Sequence, residues 1–516
     1  MFGGAKSSIK PVSQHTRTER IAAPKAPAPL PSRLAATAKA ARAFGKTHDP
    51  KRSSPANAQR HTHSPATPDR LDVPSTKRKA SRQRSPGEAK PNFGDDSDDD
   101  DEGYADDLAS RSSVGSNKRQ RTEPPTPTID TKRKLRSKRG FSRDDGLFPM
   151  IHAADVASPV RKSKVPDLQA HKVTVELKYP SASQRERYDL VYGKDKIDSL
   201  REIYDIARIV AEVYLTEDQQ KPFTDENSGF IRKIQRAMNL LSRNRQDQDL
   251  IDGFKSAVNA YNEALEALIK DGVLAKNLDN KHHLPLDMVH IILRQVYDRA
   301  VSPEVDLLKA YENGTDNVYG ELLDSFISKI LKETKMKSDQ VFVDLGSGVG
   351  NVALQAALEI GCESWGCEMM KNAYTLADRQ KEEFQARCRL WGVRPGRVRL
   401  EKGDFLENNP IKETIKRADV ILINNQAFTT ELNEKLKLLF LDVKDGCQII
   451  SLRPFITPGH QITEWNLYDP INNFRDEEDS YYGRSVSWTD AGGKYYRTTK
   501  DEKRLQSFIK KLAPKE

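Results

Sequence analysis

The stretch that most constrains this chain is Val341–Asn351, VFVDLGSGVGN. A short apolar run closed by an acid and then by glycines at alternate positions, with the pattern NVALQAALEI beyond it, reads as buried strand, tight turn and helix. Side chains are absent where the turn must be tight and where backbone N–H groups must come close to a ligand.

The same alternation continues downstream. A helix is expected over about Tyr319–Lys332, then a strand at Val341–Gly346 and a helix closed by Gly361. A strand at Ser364–Glu368, a long helix ending at Gly392, and strands at Val398–Asp404, Ala418–Asn425 and Cys447–Pro454 complete the series. Strands and helices alternating at this spacing predict an open parallel α/β sheet. Ahead of it, Lys172–Tyr179 alternates like a strand. Asp198–Leu215, Gly229–Leu241 and Leu250–Leu268 place apolar residues three and four apart, as does a helix opening near Pro285 and ending before Ser302. These predict a helical lobe over 171–318 and a Rossmann-like domain over 319–516.

Residues 1–170 read differently. They are rich in Pro, Ser, Ala and basic residues and carry about 33 Lys+Arg against about 20 Asp+Glu. The chain's net charge of +9 therefore combines a basic tail with a mildly acidic remainder. Such a tail buries too little apolar surface to offset its ordering entropy, so the expectation is a disordered segment. Basic clusters at Lys77–Lys79, Lys118–Arg121 and Lys132–Arg139 read as nuclear-import signals or phosphate contacts. The acidic block Asp95–Glu102 either holds those clusters in check or contacts histones. No stretch approaches the roughly 18 apolar residues of a membrane span. The N-terminus MFGGAKSSIK lacks the apolar core of a secretory signal. Cys362, Cys367, Cys388 and Cys447 lie far apart or off metal spacing, and His282 and His283 have no partner ligands nearby in sequence. Neither a disulfide framework nor a metal site is expected.

The chemistry-bearing residues fall at successive strand ends. Asp344 precedes the glycines Gly346, Gly348 and Gly350 by two positions. Glu368 ends the second strand about 20 residues on, where an acid can hydrogen-bond both ribose hydroxyls. The spacing is G-x-G-x-G rather than the dinucleotide G-x-G-x-x-G, and no P-loop Lys-Ser/Thr follows. The pattern resembles motif I of class I S-adenosylmethionine-dependent methyltransferases. Asp404-Phe405 supports that reading, since a carboxylate can accept from adenine's amino group while an aromatic covers the ring.

Further segments narrow the resemblance. VYGELL (Val318–Leu323), VDLGSGVGNVALQAAL (Val343–Leu358), GDFL (Gly403–Leu406), INNQAF (Ile423–Phe428), LRPF (Leu452–Phe455), VSWT (Val486–Thr489) and Tyr495-Tyr496 come in the order seen in one family. From about Lys172 to Leu512 the chain resembles the disruptor-of-telomeric-silencing (DOT-one) histone methyltransferases of fungal type, non-SET enzymes that methylate lysine 79 of histone H3. The resemblance implies S-adenosylmethionine held by Tyr319, Gly320, Glu321 and Leu322, by Phe342, Val343, Asp344, Leu345, Gly346, Ser347, Gly348, Val349, Gly350 and Asn351, and by Glu368, Asp404 and Phe405. It places Asn424 beside the methyl group and Phe428, Trp488 and Tyr495 around a lysine channel, and counts these four with Tyr319 as the catalytic residues. Gln426 stands where the family is usually aromatic. A nuclear role in chromatin regulation, telomeric silencing and the DNA damage checkpoint is implied. So are nucleosome partners that include the histone H4 tail, ubiquitylated histone H2B and DNA held through the basic tail. Bottom-up, transfer to a lysine needs alignment, a dry apolar channel and loss of the amine's proton; no obligatory general base is evident. A nucleic-acid methyltransferase would more usually carry Asn/Asp-Pro-Pro-aromatic after the fourth strand, which NNQAF does not match. A silent chromatin-binding module is the other alternative.

Overall fold

The computed structural model describes residues 129–142, 147–157, 173–190, 197–309 and 319–512. The N-terminal part holds the one-turn helix α1 (Ala153–Val156) and an antiparallel strand pair, β1 (Thr174–Leu177) and β2 (Glu186–Asp189), in register Thr174↔Asp189. Helices α2 (Ser199–Tyr214), α3 (Glu217–Thr224), α4 (Phe230–Leu241), α5 (Gln248–Lys270), α6 (Val273–Asp279) and α7 (Leu286–Ala300) form the lobe. Their ends follow local chemistry. The Asp198 carboxylate accepts from Arg201 N–H at the start of α2, and the Asp247 carboxylate accepts from two N–H groups at the start of α5. Gly272, at φ +73°, makes the turn from α5 into α6. The apolar stripes of α2, α4, α5 and α7 meet in one core through Ile203, Ile206, Val210, Ile234, Phe254, Tyr261 and Ile292.

The body follows with α8 (Asp324–Glu333), β3 (Val341–Leu345), α9 (Asn351–Glu359), β4 (Glu363–Glu368), α10 (Lys371–Leu390), β5 (Val398–Lys402), α11 (Asn409–Ile415), β6 (Val420–Ile423), α12 (Thr430–Leu439), β7 (Gln448–Ser451), β8 (Phe474–Tyr481), β9 (Gly493–Lys500) and α13 (Glu502–Leu512). The sheet order is β5-β4-β3-β6-β7-β9-β8. From β5 to β7 the strands are parallel, whereas β9 runs antiparallel to β7 and β8 antiparallel to β9. The chain builds outward from β3 to β5 and then returns to β3's other side with β6, so the order reverses at β3's C-terminal end. That crevice is where an open α/β sheet takes its ligand. β3 and β6 are buried along their whole length, as expected of strands covered by helices on both faces. Lobe and body belong to one unit within Pro86–Glu516.

Four expectations need correction. The tail boundary at 170 is too late: residues 129–142 and 147–157 pack on the fold, with Leu135, Ala153 and Ala154 in its interior. The expectations for residues 1–128, with two of the three basic clusters and the acidic block, lie outside the described residues. The expected helix over Tyr319–Lys332 begins only at Asp324, because Glu321–Leu323 is held extended against Ser485–Ser487. The Leu323 N–H donates to the Ser485 carbonyl and the Ser487 N–H to the Glu321 carbonyl, both at 2.9 Å. The sheet is not wholly parallel. Finally, α1, β2, α3, α6, α11, α12, β8, β9 and α13 were not expected; β8 is too acidic (FRDEEDSY) to show an apolar alternation.

Lobe and body are joined by a buried ionic cluster. The Glu186 carboxylate accepts from the Arg299 Nε at 2.9 Å, the Tyr179 hydroxyl at 2.7 Å, the Ala153 N–H at 3.0 Å and the Arg387 guanidinium. Arg299 also reaches Glu202 at 2.6 Å, and Arg387 reaches Glu383 at 2.6 Å. Gln295 donates to Glu202 and accepts from the Trp391 indole. Burial alone would raise the Glu186 carboxyl, but Arg299 and Arg387 outweigh it and hold the group far below the usual carboxylate range.

Candidate active site

At the C-terminal end of β3 the glycine turn takes φ values of +85° at Gly346, +54° at Gly348 and +90° at Gly350, a region closed to most side chains. A Cβ on Gly348 would lie 2.9 Å from the Tyr319 ring. The turn's N–H groups are largely used within the protein, contrary to the expectation that they face a ligand. Gly346 and Ser347 donate to the Cys367 carbonyl at 3.0 and 2.9 Å, and Gly350 donates to the Ser347 carbonyl at 2.7 Å. Gly348 donates to Glu368 Oε2 at 2.9 Å. The turn is thereby tied to β4, and what it offers a ligand is room.

A cleft opens beside it, lined by Tyr319, Gly320, Glu321, Leu322, Asp344, Gly346, Ser347, Gly348, Val349, Asn351, Val352, Glu368, Leu422 and Asn424. Most of the residues expected at a cofactor site therefore meet in one place. The loop 319–322 is pinned from several sides. The Tyr319 hydroxyl donates to Glu321 Oε1 at 2.5 Å and receives the Val349 N–H. The Tyr297 hydroxyl reaches Glu321 at 3.3 Å, and the Glu321 N–H donates to Ser487 Oγ at 2.9 Å. The Trp488 ring lies on Gly320 so closely that a Cβ there would sit 2.7 Å from its Cε3.

The electrostatics are one-sided. Burial, with the Glu368 charge adding to it, pushes the Asp344 carboxyl up to about 8. Glu368 is also raised by burial, against the opposing pull of the Met370, Gly348 and Met369 N–H groups. Glu321 is raised by burial despite its bonds from Tyr319, Tyr297 and Asn351. Three carboxyl groups line the cleft, and no lysine or arginine is among the described lining residues. Asn424 Nδ2 donates to the Gly320 carbonyl at 3.2 Å, while its Oδ1 is buried with no hydrogen-bond partner. Asn425 is a brace instead: its Oδ1 accepts from the Leu452 and Arg453 N–H groups, and its Nδ2 donates to Asn433 Oδ1 and the Arg453 carbonyl.

Other expected site residues lie outside this cleft. Phe342, Val343 and Leu345 are wholly buried in the sheet, where they support the turn without lining the cleft. Asp404 and Phe405 follow β5, next to Glu368, whose carbonyl accepts the Gly403 N–H at 3.0 Å. Phe405 stacks loosely with Phe428 at 6.4 Å between centroids, and Phe428 Cζ is 4.0 Å from where a Gly346 Cβ would stand. Phe428 and Trp488 thus flank the cleft. Tyr495 does not. It is 2% exposed, packs edge-on against Phe326 at 5.3 Å and donates to Glu333, because its face of β9 turns toward α8. Gln426 is exposed and fills no part of the cleft. Sequence reasoning missed Tyr297 and Ser487, which position Glu321; a lone tyrosine in an amphipathic helix and a serine in a loop give no signal. Among the described residues no group of three or more His, Cys, Asp or Glu is placed to hold a metal ion.

Residues 297–500 match the family described as "Histone methylation protein DOT1". A Gibberella zeae protein named histone-lysine N-methyltransferase, H3 lysine-79 specific, is 50% identical over 422 residues, covering 81% of this chain and 82% of the relative. Proteins of the same name from Aspergillus fumigatus and Yarrowia lipolytica are 49% and 39% identical, covering 76% and 63% of this chain and 77% and 65% of the relatives. Among solved structures, an RNA methyltransferase from Salinibacter ruber in complex with S-adenosyl-L-homocysteine is 17% identical, covering 35% of this chain and 94% of that one, with a TM-score of 0.25. That score is too low to bear on this chain.

Proposed function

Since the chain belongs to the DOT1 family of histone methylation proteins, we propose that it transfers methyl groups from S-adenosylmethionine to lysine 79 of histone H3, as the names of its relatives state for them. The observation that carries this reading is the cleft's lining: Glu321, Asp344 and Glu368 with no lysine or arginine among the lining residues, carboxyl groups whose charged forms a cationic ligand would stabilise. Such a cleft favours a ligand bearing positive charge, and S-adenosylmethionine carries both a sulfonium and an ammonium group.

The residues present fit that cofactor. Gly346 leaves open space, since a Cβ there would meet only Phe428 Cζ at 4.0 Å, whereas Gly348 and Gly350 let Tyr319 and Leu400 pack closely on the turn. Glu368, with the Gly348, Met369 and Met370 N–H groups on its carboxylate, still keeps lone pairs for ribose hydroxyls. Asp404 and Phe405 stand at the next strand end for the adenine. When bound, the cofactor supplies an electrophilic methyl group on sulfur. The protein's part is alignment, exclusion of water and management of the amine's proton. Asn424 Oδ1 is an acceptor already stripped of water and unpaired, suited to orient a neutral lysine amine through its N–H. Phe428 and Trp488 supply apolar walls that disfavour the ammonium form of an entering lysine. No side chain is assigned as general base.

The finer setting follows the same reading: a nuclear enzyme acting on nucleosomes, with the H4 tail, ubiquitylated H2B and DNA as contacts, in telomeric silencing and checkpoint signalling. Lys134, Lys138 and Arg139 are exposed and suit salt-sensitive contact with phosphates. Incubation with labelled S-adenosylmethionine and either nucleosomes or free histones, followed by mapping of the label, tests the proposal. Label on H3 lysine 79 of nucleosomes is expected; label confined to other residues or to nucleic acid would refute it.

A further inference from the structure

The run KRKLRSKR (Lys132–Arg139) has the composition of a free basic arm, yet the structure divides its side chains. Lys132, Lys134, Lys138 and Arg139 are exposed, whereas Arg133 is 5% and Leu135 1% exposed. The run also pairs with the body: Arg136 bridges Val393, the Ser137 N–H donates to the Gly392 carbonyl at 2.9 Å, and the Arg394 N–H donates to the Leu135 carbonyl at 2.6 Å.

The contacts of residues 129–142 reach both halves of the fold. Toward the lobe, Arg136 pairs with Asp279 at 2.8 Å, and His282 Nδ1 lies 2.8 Å from the Arg133 carbonyl. Toward the body, the Asp130 carboxylate accepts from the Ser338 N–H at 2.8 Å and hydroxyl at 2.7 Å, just before β3, and Lys132 pairs with Asp339 at 3.0 Å. The Arg133 guanidinium donates to the carbonyls of Leu358 and Glu359. Those are last-turn carbonyls of α9, which have no partners within the helix and carry its negative dipole end. The other end of α9 begins at Asn351, immediately after Gly350. A nine-residue helix is roughly 13 Å long, so the strap holds one end of a short rod whose other end is the glycine turn. β3, which carries Asp344, is anchored at its start by the same strap through Asp130.

We propose that residues 129–142 form a strap that sets the cofactor turn from behind, with Arg133 as a positioning residue for the Gly346–Gly350 turn through α9. The inference rests on the assignment of S-adenosylmethionine to the cleft and adds a second role for a basic run. Its inward residues serve the cofactor site, and only its outward residues remain for polyanions. Coupling carried through a rigid element of this kind commonly changes affinity by a few-fold to some thirtyfold.

The test uses the full chain and calorimetric titration with S-adenosylmethionine. Arg133→Gln is expected to weaken binding about tenfold, within that range of coupling. It raises the cofactor KM in step and changes kcat at saturating cofactor far less. Arg133→Lys, which keeps one charged donor, recovers part of the loss. The triple variant Lys134→Gln/Lys138→Gln/Arg139→Gln leaves cofactor affinity unchanged and weakens nucleosome binding. Unchanged affinity in Arg133→Gln overturns the proposal, as does an equal loss in the triple variant. If Arg133→Gln does not fold, Asp130→Ala takes its place: a rise in the cofactor Kd supports the strap and an unchanged Kd overturns it. Failure of the unsubstituted chain to bind S-adenosylmethionine would refute the cofactor assignment instead, so the two failures are distinct.

Discussion

Two clusters of buried carboxylates in this molecule have opposite surroundings. Where lobe meets body, Glu186 and Glu202 face Arg299, and Glu186 and Glu383 face Arg387. At the end of β3, Asp344, Glu321 and Glu368 share a cleft without a lining cation. Burial raises Asp344, Glu321 and Glu368, whereas at Glu186 the guanidinium charges of Arg299 and Arg387 reverse its effect. In the second, Asp344 stays raised to about 8. A paired cluster is closed and fixes geometry. An unpaired one is held in place by the surrounding fold at a cost in stability and is poised to gain from a cationic ligand.

The contrast can be broken from either side. The largest effect is expected from Gly346→Arg, since a side chain at φ +85° both strains the turn and fills the cleft. Cofactor binding should vanish in calorimetry while circular dichroism remains that of the folded chain; measurable binding would show that the turn does not bound the site.

At the paired cluster, Arg299→Met leaves Glu186 and Glu202 short of a charge partner. Breaking a buried pair costs about 3–5 kcal/mol, so Tm measured by calorimetry should fall by on the order of 10 °C. A shift under about 2 °C would mean the cluster is no more than a weak surface pair in its energetics.

Asn424→Ala removes the orphaned oxygen. It should lower kcat by roughly ten- to a hundredfold, in the range seen for loss of one oriented polar group, with cofactor Kd within about threefold. An unchanged kcat would remove Asn424 from the reaction.

The smallest effect is on the cofactor-free protein. The Asp344 carboxyl has a folded-state pKa near 8, above its unfolded value, so the folded state holds the proton more tightly. The charged form penalises folding increasingly as pH rises from about 4 to about 8, and the penalty is constant above that. Asp344→Asn should therefore raise Tm by a few degrees at pH 8 and by nothing at pH 3.5, while weakening the cofactor. A lower Tm at pH 8 would contradict the unpaired state of this carboxyl.

The same distinction explains what was legible in sequence. The cleft's core was readable because Asp344, the glycines and Glu368 sit at fixed offsets from strongly apolar strands, and strand ends converge in a parallel sheet. The paired cluster was invisible. Glu186 lies in SASQRERYD, a polar stretch whose partners come from α2, α7 and α10, more than a dozen residues away in sequence or far beyond. The strap hid behind its charge: period-two burial of Arg133 and Leu135 cannot be seen when lysine and arginine occupy nearly every position. Tyr495 was misplaced because adjacent residues of a strand face opposite ways, and the sequence does not say which of Tyr495 and Tyr496 turns inward.

The most direct measurement is a crystal structure grown with S-adenosylhomocysteine. The ligand should lie in the cleft with its ribose on Glu368, its adenine near Asp404 and Phe405, and its sulfur on the side of Asn424. Density for the ligand anywhere else, with Asp344 and Glu368 left bare, would contradict the assignment of this cleft to the methyl donor.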